Sequence, residues 1–167
     1  MSKTILKANL SKDSLDRLVN QIKLYGKKVQ DGTQLGIEET LKETYEFICN
    51  KMKANNLEDH VSSIEWKYDS LKNSGYIKTN DIVIIFHEFG TGIKGTQNDW
   101  ANAFDYQVNQ SGKGEKGWFF YNKKNNYGGI THGLVSKHIF YEAMLEAEKK
   151  LPKNVQISVS KTVGAMY

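Results

Sequence analysis

Three residue types are nearly missing from this chain, and each shortage excludes something. Cys49 is the only cysteine, so no internal disulfide braces the fold, and the sequence predicts a chain made in a reducing cytoplasm. Pro152 is the only proline and reads as the stop of a late helix. Of 23 basic residues only Arg17 is an arginine, and the formal net charge is +4. Lysine is a point charge, whereas arginine recognises phosphates and base edges with two hydrogen bonds at once. Sequence-specific reading of nucleic acid is therefore disfavoured, while loose electrostatic contact with DNA stays open. Long apolar runs are also missing: none approaches the roughly 18 residues that span a membrane, and MSKTILKANLSKDS at the start has no signal-peptide core. Hydrophobic residues at 39% and charged residues at 25% are ordinary for a globular chain, and 167 residues fit one domain, 1–167, with a substantial core.

Catalytic signatures are equally scarce. There is no G-x-S-x-G, no P-loop, no C-x-x-C and no paired-carboxylate motif. His87-Glu88 opens like a zinc-protease HExxH, but Thr91 stands where the second histidine belongs. His132 and His138, six apart, match no ligand spacing and read as isolated surface histidines. Gly90-x-Gly92-x-x-Gly95 has the spacing of a dinucleotide loop, yet no convincing helix follows it, and the acid at the right distance, Glu115, lies in GKGEKG. The reading is a non-enzyme with no catalytic residue, no cofactor and no metal. An enzyme of unknown type, gathering His87, Glu88 and a distant partner, is the alternative from another class.

Periodicity gives an α+β outline. Ser11 is a plausible N-cap, and Leu15, Leu18, Val19 and Ile22 predict a helix over 12–25 ending near Gly26, within an N-terminal helical arm, 1–33. A turn at Asp31-Gly32 then leads to a second helix over 34–54, marked by Ile37, Leu41, Tyr45, Ile48 and Met52, with Cys49 as a small buried hydrophobe. The period changes to two at Ile64, Trp66 and Tyr68. With a turn at Asn73-Ser74-Gly75 and extended runs at 76–78 and 82–89, this predicts an antiparallel sheet of about four strands. Trp66 and Phe140 are assigned to the core. Residues 90–133, rich in glycine and aromatics, form a long loop excursion with a short helical turn around Trp100 to Phe104. A last helix over 136–150 stops before Pro152, and Val155, Ile157 and Val159 alternate as a final strand.

Order and wording of the parts then carry a resemblance. Val61-Ser62-Ser63-Ile64, Phe86-His87-Glu88-Phe89-Gly90-Thr91-Gly92, Gly117-Trp118-Phe119, Thr131-His132-Gly133 and Phe140-Tyr141-Glu142-Ala143 follow one another as in the gene-product-10-like tail-component family of long-tailed phages and prophages, which the chain resembles over about 34–151. The chain departs from the family in having Asn55-Asn56-Leu57-Glu58 where a proline-containing segment is common. The resemblance implies a virion structural protein of the neck, a tail-completion or head-to-tail joining subunit. Its implied partners are itself, as a homo-oligomeric ring (a hexamer in preference to a dodecamer), neighbouring neck, tail-terminator or tail-tube proteins, and packaged DNA in non-specific contact, with no membrane. Tail terminator or stopper in the DNA channel is the alternative layer. Phe89, Trp100, Phe104, Trp118 and Phe119 are the expected interface residues of the 90–133 assembly loop; the competing reading folds these aromatics back onto their own subunit.

Overall fold

The computed structural model describes residues 12–122 and 126–165; the expected N-cap Ser11 lies outside them. The elements in order are α1 (Lys12–Ala54), β1 (Glu65–Asp69), β2 (Ser74–Lys78), α2 (Ile82–Phe89), α3 (Asp99–Ala103), α4 (Lys113–Lys116), β3 (Trp118–Asn122), β4 (Tyr127–Thr131) and α5 (Ile139–Gly164), with short 3-10 turns between some of them. The described residues divide into two compact units, one holding 12–40, 68–75 and 149–165, the other 41–67, 76–122 and 126–148.

The two expected N-terminal helices are one helix of 43 residues, of which residues up to 40 belong to the first unit, so the predicted end at Gly26 and turn at Asp31-Gly32 are corrected. A glycine inside a helix costs about 1 kcal/mol relative to alanine, but Gly32 and Gly36 are used for contact. A Cβ on Gly32 would sit 2.6 Å from the Val159 Cα, and one on Gly36 2.5 Å from the Val155 Cα. The missing side chains let α1 and α5 touch backbone to backbone. Each end of this seam is fastened by a polar contact: the Thr162 hydroxyl donates to the Lys28 carbonyl at 3.0 Å, and the Asn154 amide to the Thr40 hydroxyl at 3.2 Å. Low residue numbers on α1 therefore meet high ones on α5, which makes the pair antiparallel.

The predicted stop at Pro152 and the strand over 155–159 are corrected as well, because α5 runs through both. Proline lacks an N–H and crowds the preceding turn, a cost of about 3 kcal/mol in an isolated helix; the seam on its C-terminal side offsets it. Val155, Ser158, Val159 and Thr162 share one helical face, and the alternation of 155, 157 and 159 was a coincidence of spacing.

The second unit has two apolar clusters. Ile48 and Met52 of α1, Leu57, Ile64, Ile84 of α2, and Ile139 and Ala143 of α5 form the larger one, with Phe140 packed against it. Trp66, expected there, is 36% exposed and lies over Tyr45 at 6.3 Å instead. β1 and β2, whose turn over 68–75 is counted with the first unit, form the predicted hairpin around Asn73, whose φ is 48°. The run over 82–89, however, is a helix: the Asp81 side chain accepts from the Val83 amide at 2.9 Å as its N-cap, and Gly90 ends it. An apolar run of five, Ile82 to Phe86, fits a buried strand and a buried helix equally, and the cap decides between them. Instead of one sheet of about four strands, the described residues hold two separate two-stranded antiparallel sheets. The second, β3–β4, lies inside the segment expected to be loop.

Candidate assembly surface

The segment Glu88-Phe89-Gly90-Thr91-Gly92 is where the second unit is fastened. Glu88 is 4% exposed, and its carboxylate accepts three hydrogen bonds: from the Trp100 indole at 2.8 Å, and from the backbone amides of Phe140 and Tyr141 at 2.7 and 2.9 Å. The last two are unpaired amides of the first turn of α5, so a buried carboxylate from α2 caps that helix, where the dipole favours negative charge. Phe89 stacks on Tyr106 at 4.7 Å and contacts Phe104 at 5.8 Å and Trp100 at 6.5 Å, while the Tyr106 hydroxyl donates to the Gly90 carbonyl. Burial pushes the Tyr106 phenol above its usual pKa.

Beyond Gly90 the chain crosses the Thr131-His132-Gly133 segment at close quarters. The Thr91 amide donates to the Leu134 carbonyl, the Leu134 amide to the Thr91 carbonyl, and the Ile93 amide to the His132 carbonyl. A Cβ on Gly133 would lie 1.7 Å from the Thr91 oxygen and one on Gly92 2.1 Å from the His132 oxygen, and both residues have positive φ. Only glycine fits at this crossing. The amides of Thr91, Gly92 and Gly95 are all spent on main-chain carbonyls, those of Leu134, Val108 and Thr91. The segment that spaced its glycines like a nucleotide loop follows a helix and stitches two stretches of backbone together.

The histidines sit around this junction. His87 is half-buried, with a buried Nδ1 that has no partner; burial foremost, then Lys137 and His60, hold its pKa below the usual value. His60 pairs with Asp81 at 2.7 Å, and that hydrogen bond is the main reason the Asp81 carboxyl titrates below its usual range. His132 contacts the Gly114 carbonyl and His138 the Ser136 hydroxyl, each at 3.0 Å. Among the described residues no group of three His, Cys, Asp or Glu is placed to hold a metal ion.

Outside the junction lies the β3–β4 hairpin. Its register pairs Trp118 with Thr131, Phe119 with Ile130, Phe120 with Gly129 and Tyr121 with Gly128. Alternation puts Trp118, Phe120 and Thr131 on one face, where they wall an open, mainly apolar groove of about 970 Å³ with Val83, Phe86 and Tyr106. The opposite face carries Phe119, 70% exposed, beside Ile130, 72% exposed, with Tyr121 half-exposed. Both faces of one thin hairpin are therefore apolar.

Of the five expected interface residues, Phe89, Trp100 and Phe104 are brought together in one aromatic cluster, with Phe89 buried, Trp100 half-buried and Phe104 largely exposed. Trp118 and Phe119 stand apart from it on opposite faces of the hairpin. Sequence reasoning missed Ile130 and Tyr121 as surface residues and Glu88 as a cap. The signal was present: WFFY followed by YGGIT is a pair of short β-prone runs around a polar turn. Compared with protein-family models, with curated proteins and with solved structures, the chain finds no match. No described helix is long and apolar enough to cross a membrane.

Proposed function

We propose that this chain is a non-enzymatic structural subunit of a phage or prophage neck, a tail-completion or head-to-tail joining protein that closes into a ring, a hexamer in preference to a dodecamer. The observation that carries the reading is the outward face of the β3–β4 hairpin, where Phe119 and Ile130 stand paired and exposed. Covering a Phe or Ile side chain gives about 1.5–3 kcal/mol each, so such a pair on a single hairpin has its physical rationale in a contact with another chain. Head-to-tail rings need two different complementary surfaces on each subunit. The outer hairpin face and the groove beneath it supply a ridge and a cleft, and the Glu88 junction ties α2, which lines the groove, to α5 and Trp100. The quoted sequence elements support the same reading, since Glu88, Thr91, Gly92, Trp118, Gly133 and Phe140 all build this one region.

Lys113 at the groove, with Lys94 and Lys116 on adjacent short turns, favours a neck layer close to DNA as the second reading, the tail terminator or stopper. Contact there is electrostatic and independent of sequence. The test is complementation: particles produced without this chain accumulate separate heads and tails, and the wild-type chain restores joining while the double variant Phe119→Asp, Ile130→Asp, folded by circular dichroism, does not. Full restoration by that variant refutes the hairpin as the contact.

A further inference from the structure

Among the described residues, two of the three buried side-chain polar atoms that lack a hydrogen-bond partner belong to the two sides of one crossing. They are Nδ1 of His87, in the last turn of α2, and Nδ1 of His138, one residue before α5. The backbone ties the two sides together twice: the Lys137 amide donates to the His87 carbonyl at 2.6 Å, and the His138 amide to the Glu88 carbonyl at 3.4 Å. His138 holds this position in a left-handed conformation, with φ at 50°, which is costly for a residue with a side chain. The other described residues with a side chain and a positive φ are all Asn or Asp, whose short polar side chains tolerate it.

We propose that residues 136–138 form an acid-released latch, closed against the end of α2 while His87 is neutral and freed from it when His87 takes up a proton. An imidazolium carries an N–H on both nitrogens, and Nδ1 of His87 is closed off from solvent and faces no acceptor. The groups around the ring do not offset that cost. Lys137 on the latch and His60 on the turn over 58–63 both add to it. On α2 itself, Asp81 is engaged by His60 at 2.7 Å, and Glu88 by the Trp100 indole and the amides of Phe140 and Tyr141. The C-terminal end of α2 attracts positive charge, but burial outweighs it and, with Lys137 and His60, holds the ring below its ordinary 6.5. Lifting the latch admits water to Nδ1, takes Lys137 away from the ring and lets His138 leave its left-handed conformation. Glu88 keeps its hold on the first turn of α5, so the release ends there. Leu134, just before the latch, lines the groove, and the release therefore reaches the groove wall. The latch does not depend on the neck reading.

Amide hydrogen exchange of the full chain, followed by NMR from about pH 7.5 to about pH 5.5 and corrected for the intrinsic rate at each pH, tests the latch. The amides of Lys137 and His138 should lose protection as pH falls below about 6.5, while those of Ile48 and Met52 in the larger apolar cluster keep theirs. One pH unit below 6.5 a single histidine shifts the closed-to-open ratio by about tenfold at most, which bounds the loss. His87→Gln, which cannot titrate, should hold the protection of Lys137 nearly constant with pH. Lys137→Glu, which leaves His87 in place and sets a carboxylate beside its ring, should shrink the loss. Protection at Lys137 that does not change with pH overturns the proposal, as does a loss that persists in His87→Gln or is undiminished in Lys137→Glu. A loss shared equally by Ile48 and Met52 also overturns it, because the whole unit then opens and not the latch.

Discussion

Replacing Glu88 with glutamine removes little volume but should cost the second unit much of its stability. The carboxylate now accepts three hydrogen bonds through two oxygens, from the Trp100 indole and the Phe140 and Tyr141 amides. A glutamine side chain offers one oxygen and one NH2, so at least one of these buried donors faces another donor. An unsatisfied buried donor costs about 1–3 kcal/mol, and losing a favourable charge at a partly buried helix N-terminus adds up to about 2 kcal/mol. Taking about 3 kcal/mol as the sum, and about 2–4 °C per kcal/mol for a chain of this length, Glu88→Gln should melt about 6–12 °C below wild type. Glu88→Asp should also be destabilising, because a side chain one methylene shorter cannot reach all three donors from the same backbone. Far-UV circular dichroism against temperature, with urea titration as a second measure, reads the effect. A Glu88→Gln melt within about 2 °C of wild type, less than 1 kcal/mol on that scale, would refute the assignment of Glu88 as the cap that anchors α5.

Two further outcomes concern the seam and the histidine. Gly36→Val should lower the melting temperature, since its first side-chain atom would stand 2.5 Å from the Val155 Cα, and overpacking of this kind costs about 1–3 kcal/mol or more; Gly26→Ala, with open space around its Cβ, should not destabilise. His87 has a folded pKa below its ordinary 6.5, so the folded state resists protonation that the unfolded chain accepts. Its contribution is complete above that value and is lost as pH falls from about 6.5 toward the folded pKa. Melts taken across that window should show a decline that His87→Gln reduces, and an identical decline in the variant would mean other groups cause it.

Local signals were read well where one residue carried the answer: the Asn73 turn, the turn of helix at Trp100, and the polar hairpin of β1 and β2. Errors arose where a residue's role lies in tertiary contact. Gly26 and Gly32 look like helix stops by propensity, and only the approach of α5 shows that Gly32 replaces a side chain with a backbone contact. Pro152 looks like a breaker, but the seam that carries α5 past it is built from residues more than a hundred positions away. For 82–89 periodicity was uninformative, and the Asp81 cap was the overlooked cue. Of the site, the quoted EFGTG, GW, THG and FYEA elements fall together in the second unit, yet their chemistry was invisible in sequence: Glu88 gave no hint of reaching the first turn of α5, and Ile130 none of standing opposite Phe119.

The central claim is that this chain is a ring subunit of the neck joined through the β3–β4 hairpin. A cryo-electron-microscopy reconstruction of the assembled particle tests it most directly. The account predicts a closed ring of this chain at the head–tail junction, with Phe119 and Ile130 of each copy covered by its neighbour. Particles that lack the chain, or a ring in which those two side chains face solvent, would contradict it.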